Sequence, residues 1–162
     1  MHILLIEDHD DTAAAVMRVL VREGHLVERA ESCQQAKSAC ANGSFDLLLC
    51  DLSLPDGDGW SLMSHLRDAH GLRGIAVSAH AHPDDHERSL AAGFLMHVDK
   101  PMTVEVLLAA LRAVEEEQQR EGAAKFGRGA SAAARASAAP RSAGELARSE
   151  PSAPWEGRSK SE

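Results

Sequence analysis

Tyrosine is absent from this chain, and its other large rings amount to three Phe and two Trp. Any core must therefore be built from Val, Leu, Ile, Ala and Met. Cysteine is scarce too: Cys33, Cys40 and Cys50 are an odd number with neither a CxxC pair nor zinc-ligand spacing. That pattern fits reduced thiols of a cytoplasmic protein better than a disulfide framework. Long apolar runs are missing. Residues 1–6 are too short for the apolar region of a signal peptide and lead straight into Glu7-Asp8, and nothing approaches a membrane span. The expected location is cytoplasmic, without a membrane partner. Positive charge is also in short supply. Residues 1–120 hold ten Lys and Arg against twenty Asp and Glu, whereas 121–162 hold seven against five. Neutralising phosphates needs clustered Lys and Arg, so nucleic acid is not an expected partner.

What is present is an alternation of short apolar runs with amphipathic segments over the first 120 residues. His2 to Ile6 is a run of buried-strand length stopped by acids, and Ala13, Val16, Met17 and Leu20 recur at helical spacing before Gly24. His25 to Ala30 alternates weakly as a second strand. Ser32 to Asn42 reads as a helix capped by Ser32 and stopped at Asn42-Gly43. Phe45 to Cys50 is the next buried strand, ending at Asp51. Leu54 to Gly59 has the composition of a loop. A helix over 60–69, a strand over 74–78, a helix over 83–92, a strand over 94–98 and a last helix striped by Val104, Leu107, Leu108, Leu111 and Val114 follow.

Five strands alternating with helices predict an α/β fold: a doubly wound five-stranded parallel sheet with helices on both faces, flavodoxin-like, in order 2-1-3-4-5. Beyond residue 120 the periodicity stops and Gly, Ala, Ser, Arg and Pro dominate. The expected division is a domain over 1–120 and a disordered Ala/Ser/Gly/Arg-rich tail over 121–162.

In such a sheet, ligands bind outside the carboxyl ends of the strands, where the winding reverses. Strand one ends in Glu7-Asp8, strand three in Asp51 and strand four in Ser78, while strand five leads into Lys100-Pro101. The predicted order makes strands one and three neighbours, so three carboxylates share one crevice with a hydroxyl and an ammonium. Close carboxylates repel one another unless something positive sits among them. Mg²⁺ meets that need, because it prefers a few carboxylates completed by waters and phosphate oxygens. Asp51 could then attack phosphorus in line, with Mg²⁺, Lys100 and the Ser78 hydroxyl each serving one equatorial oxygen.

The chain resembles the response-regulator receiver family of two-component signalling over residues 2 to about 118. The matching pieces are Ile-Glu-Asp at 6–8, Asp-Leu-Ser-Leu-Pro-Asp-Gly-Asp-Gly at 51–59, Val-Ser-Ala at 77–79 and Val-Asp-Lys-Pro at 98–101. Each piece alone is weak; together, in order and each at a strand end, they are specific. The resemblance implies that Asp51 is phosphorylated by a histidine kinase or phosphotransfer protein. It also implies that Glu7, Asp8, Asp51 and the backbone carbonyl of Ser53 hold the metal, that Ser78 and Lys100 complete the catalytic set, and that a cis peptide precedes Pro101. Phe94-Leu-Met-His97 further resembles receivers attached to hybrid histidine kinases, where this position acts as a rotamer switch.

Other readings stay open at this point. Ser78 also suits a buried hydroxyl bonded to backbone, and His97 a half-buried histidine without a switching role. His80, His82 and His86 fit no standard metal spacing and read as solvent-exposed loop residues. An aspartate-nucleophile phosphatase would need a second Asp two places after Asp51, where Ser53 stands. A receiver that is never phosphorylated is disfavoured by the full set of charged positions. The expected protein is therefore a signalling receiver rather than a dedicated enzyme. With no DNA-binding or catalytic segment read after residue 120, output is expected through a downstream protein target at the 83–118 face.

Overall fold

The computed structural model describes residues 1–79 and 82–136. The elements run β1 (His2–Ile6), α1 (Asp10–Arg22), β2 (Leu26–Ala30), α2 (Cys33–Asn42), β3 (Leu47–Asp51), β4 (Ser53–Leu54), β5 (Gly57–Asp58), α3 (Gly59–His70), β6 (Gly74–Ser78), α4 (Pro83–Ala92), β7 (Phe94–Asp99) and α5 (Val104–Ala136). Five strands form one parallel sheet in the order β2-β1-β3-β6-β7. With the two-residue hairpin β4-β5 set aside, this is the 2-1-3-4-5 order expected from the sequence.

Strand geometry sends successive side chains to opposite faces, and the strand residues sort accordingly. Leu4 and Ile6 of β1 join Leu48 and Cys50 of β3 and Ala76 of β6 on one face, covered by Ala36 and Cys40 of α2 and by Leu62, Met63 and Leu66 of α3. Ile3 and Leu5 join Leu47, Leu49, Ile75 and Val77 on the other, covered by Ala13, Val16 and Leu20 of α1 and by Leu107, Leu111 and Val114 of α5. Both faces being covered explains why β1, β3 and β6 read as unbroken apolar runs. Each fully buried leucine contributes about 2 kcal/mol of transfer free energy. β2 lies at the sheet edge, alternates, and leaves Leu26 exposed.

Local chemistry sets the helix ends. The Ser32 hydroxyl accepts the Gln35 N–H at the start of α2, and Asp58 accepts the Ser61 N–H at the start of α3. Asp56 reaches across from the loop after β4, its two carboxylate oxygens accepting the N–H groups of Cys33 and Gln34 at 2.8 and 2.9 Å. Those backbone donors, Gln34 first, hold its pKa below the usual carboxylate value. The segment read as a plain loop over 54–59 is thus a small hairpin pinned to α2.

Two expectations need amendment. α5 continues to Ala136, well past the end of its apolar stripe, because alanine favours helix without needing a partner face. Met1–Glu121 is one compact unit; the second, Gly122–Glu162, is helical over its described part, and 137–162 lie outside the described residues. His86 is not a loop residue: it lies on α4 with its ring stacked on that of His97, while His82 is the exposed N-cap of that helix and His80 lies outside the described residues. Among the described residues, no helix is long and apolar enough to cross a membrane.

Candidate functional site

The backbone hydrogen bonds at the strand tips fix where the charged side chains emerge. Ile6 pairs with Cys50 and Asp51 with Val77, so Glu7 and Asp51 leave adjacent strands at the same level. The Glu7 N–H donates to the Ala30 carbonyl, Leu52 N–H to Val77, and Lys100 N–H to Ser78 at 2.7 Å. Lys100 is thereby tied to the tip of β6, and the Lys100–Pro101 peptide bond is cis. Gly59 opens α3 against the end of β3: a β-carbon there would lie 2.9 Å from the Asp51 carbonyl oxygen and the Leu52 Cα. Only glycine permits that approach.

Residues 93 positions apart then meet. Lys100 Nζ donates to Asp51 Oδ2 at 2.6 Å and to Glu7 Oε2 at 3.0 Å. Glu7 is 4 % exposed and Asp51 7 %, so one ammonium is shared by two buried carboxylates. Burial opposes the charge on Lys100, but the hydrogen bonds and charges of Asp51 and Glu7 outweigh it and hold its pKa above the ordinary lysine value. The second Asp51 oxygen accepts the Ser53 N–H at 2.8 Å, which fixes the carboxylate from the side of the hairpin.

Asp8 completes the acidic group through His9. Donor atoms of Glu7, Asp8 and His9 all lie within 4.8 Å of one another, and Asp51 joins them through the Lys100 ammonium. His9 Nδ1 approaches Asp8 Oδ1 at 2.9 Å and Glu7 Oε1 at 3.3 Å. The hydrogen bond to Asp8 comes first among the causes that raise its pKa. Ser78 is buried beside the site, its carbonyl accepting Lys100 N–H. A cavity of ≈ 330 Å³ opens here, bounded by Glu7, Asp51, Lys100, Thr12, Val16 and Met102.

Sequence reading did not anticipate Arg29. Its guanidinium donates to the carbonyls of Glu7 and Asp8 at 3.0 and 3.1 Å and to Asp10 Oδ1 at 2.8 Å, bracing the turn that carries the acids. A basic residue closing strand two, next to a strand that ends in acids, was the available signal. His9 was missed as well, and its adjacency to Glu7-Asp8 was the clue.

Chemically, the Glu7 and Asp51 carboxylates share one ammonium and Asp8 lies beside Glu7, so oxygen donors outnumber the lysine. Oxygen donors in that number suit a hard divalent cation. All three thiols are buried and away from this role. Cys33 is pushed up to about 11 by burial and then by Asp56, and burial raises Cys40 and Cys50 as well.

Comparison with known proteins follows from this geometry. The family model described as response regulator receiver domain matches residues 3–112. The transcriptional regulatory protein HprR of Escherichia coli K12 is 31% identical over 113 residues, covering 70% of this chain and 51% of HprR. The sensor protein EvgS of the same organism is 30% identical over 108 residues, 66% of this chain but 9% of EvgS. This chain thus spans about half the length of the first relative and a small part of the second. Among solved structures, a CheY-like response regulator receiver domain protein from Methanospirillum hungatei JF-1 superposes with a TM-score of 0.70 at 28% identity, covering 74% of this chain and 97% of that one.

Proposed function

The chain belongs to the response regulator receiver domain family, and on that premise we propose that it accepts a phosphoryl group on Asp51 from a phosphohistidine donor, with Mg²⁺ held beside the acceptor. The donor is a histidine kinase or a histidine phosphotransfer protein. The observation that carries this reading is the Lys100 ammonium shared between the buried carboxylates of Glu7 and Asp51, at 3.0 and 2.6 Å.

Glu7, Asp8, Asp51 and the Ser53 carbonyl would hold the cation, which when bound neutralises charge developing on the transferred phosphoryl group. The chain's own groups do the positioning. An Asp51 carboxylate oxygen forms the new bond to phosphorus while the bond from phosphorus to the donor imidazole nitrogen breaks. That nitrogen keeps the electron pair, and an acyl phosphate results. The Ser53 N–H, already on Asp51 Oδ1, holds the carboxylate in one rotamer. Lys100 passes from Asp51 to an equatorial phosphoryl oxygen, a short transfer for a group 25% exposed at the mouth of the site. The Ser78 hydroxyl serves another oxygen. Transfer of this kind asks for placement and charge compensation more than for covalent chemistry by the protein.

Phosphorylation then biases a small conformational equilibrium, read out by a downstream protein at the 83–118 face. On this reading the chain acts in the cytoplasm as a signalling receiver that promotes its own phosphorylation and dephosphorylation, not as a dedicated enzyme. Labelling with acetyl phosphate or a phosphorylated kinase tests it. The wild-type chain is expected to take up label only with Mg²⁺, and Asp51→Asn to take up none. Label on Asp51→Asn at the wild-type rate would remove the assignment, and steady turnover of p-nitrophenyl phosphate would replace the receiver by an enzyme.

A further inference from the structure

A second polar cluster joins α4 to β7. His86 of α4 and His97 and Asp99 of β7 place one donor atom each within 4.8 Å of the others. His86 Nε2 lies 3.2 Å from Asp99 Oδ1, and His97 Nε2 lies 3.5 Å from the same oxygen. The His97 side chain is 1% exposed, yet among the described residues its Nε2 is the one buried side-chain nitrogen or oxygen without a hydrogen-bond partner. A buried ring nitrogen left unpaired costs free energy, and one aimed at a carboxylate and a second imidazole asks for a cation between them.

The other edge of the His97 ring is held. Nδ1 lies 2.8 Å from Ser89 Oγ, and that oxygen accepts the Trp60 Nε1–H at 2.9 Å. Indole nitrogen only donates, so one Ser89 lone pair is taken, and the other can receive a proton carried on Nδ1 when a cation occupies Nε2. The Asp85 carbonyl also favours a proton on this ring. The tautomer protonated at Nδ1 turns the Nε2 lone pair towards Asp99 and His86. An imidazole oriented through its far nitrogen is the usual state of a metal ligand.

We propose that His86 Nε2, His97 Nε2 and an Asp99 carboxylate oxygen form a site for a divalent transition metal of the zinc class. Two imidazoles and one carboxylate are donors of the right type, and a water completes the fourth position. Burial, followed by the charge of His86, lowers the His97 pKa, so the ring is neutral as a ligand must be. His86 and Asp99 are 44% and 43% exposed, which leaves an entry path. The two rings stack at 4.2 Å with 12° between their planes, so His86 rotates out of the stack when the ion enters. Once bound, the ion ties α4 to the residue that precedes Lys100. This site shares no ligand with the carboxylates around Asp51.

The test uses the full chain, stripped with EDTA and placed in buffer with excess Mg²⁺ so that the acidic crevice is occupied. Zinc chloride is titrated by calorimetry, and cobalt chloride is added to a second sample to read its visible absorption. One zinc site is expected, with cobalt bands typical of mixed nitrogen and oxygen ligation. The surface substitutions His86→Ala and Asp99→Asn should each weaken zinc by more than about tenfold, since even an outer-shell partner is worth that much. His82→Ala and His9→Ala should leave it unchanged. Failure of the wild type to bind zinc below millimolar concentration overturns the proposal. So does binding that survives His86→Ala, or that disappears with His9→Ala.

Discussion

Strand β7 and the residue after it send basic side chains to two places, and the chain satisfies them in opposite ways. Lys100 meets more negative charge than it can neutralise, with Asp51 at 2.6 Å and Glu7 at 3.0 Å. Three residues earlier, the His97 side chain is more deeply buried, yet among the described residues its Nε2 makes no hydrogen bond and lies 3.5 Å from Asp99 Oδ1. The first arrangement gives two buried carboxylates a counter-charge. The second keeps an imidazole neutral. One strand thus supplies a permanent charge at one end and a conditional one in its middle, and the difference lies in whether burial comes with a counter-charge.

The sharpest way to break this contrast is to remove the permanent charge. In Lys100→Met, Glu7 and Asp51 remain buried with nothing to compensate them. Losing one partner of a buried charge group costs about 3–5 kcal/mol, and the partial exposure of Lys100 puts the expected loss at about 3 kcal/mol. Adding Glu7→Gln should restore much of it, because the second change removes the repulsion exposed by the first. Urea unfolding of both variants measures this. A Lys100→Met chain as stable as wild type, or a double variant that is merely additive, would mean that the ammonium does not hold the carboxylates together.

The next largest effect sharpens the comparison from the backbone side. Gly59→Ala pushes a methyl into the Asp51 carbonyl oxygen and the Leu52 Cα, both 2.9 Å from the new atom. Overpacking against backbone costs about 2 kcal/mol. It should also slow labelling of Asp51, because the strand tip that presents the acceptor must shift, while the His97 cluster should be unaffected. Equal stability and an equal labelling rate would show that the tip is softer than its packing suggests.

How much of this was legible in the sequence depended on how far apart the partners lie. The sheet was legible because β1, β3 and β6 are covered on both faces and so spell continuous apolar runs. The acids and the lysine were legible because strand ends in a parallel sheet point to one crevice. The β4-β5 hairpin was not, since two-residue strands inside Ser-Leu-Pro-Asp-Gly-Asp-Gly carry no periodicity. Nor was the end of α5, where alanine sustains helix after the apolar stripe has stopped. The pairing of His86 with His97 was hidden for another reason. One lies on a helix and the other on the strand after it, and no spacing rule joins the two periods. Arg29 was hidden because its partners are backbone carbonyls, which every residue carries.

The smallest expected effect tests the conditional charge. The His97 pKa in the folded chain lies below its ordinary value of 6.5, chiefly through burial and then through the charge of His86. As pH falls, the unfolded chain therefore takes up this proton before the folded one does. The stability that depends on the neutral ring is complete above the unfolded value and is lost as pH drops through the lowered folded value. Replacing the ring with phenyl removes this titration while filling the same space. In EDTA, wild type should lose more of its thermal midpoint between about pH 7.5 and about pH 5 than His97→Phe does. The two curves differ in the imidazole and its coupling to His86 and Asp99. Should wild type instead gain on His97→Phe as the solution is acidified, Asp99 would be holding the ring charged. The contrast between His97 and Lys100 would then vanish, because both would be paired cations.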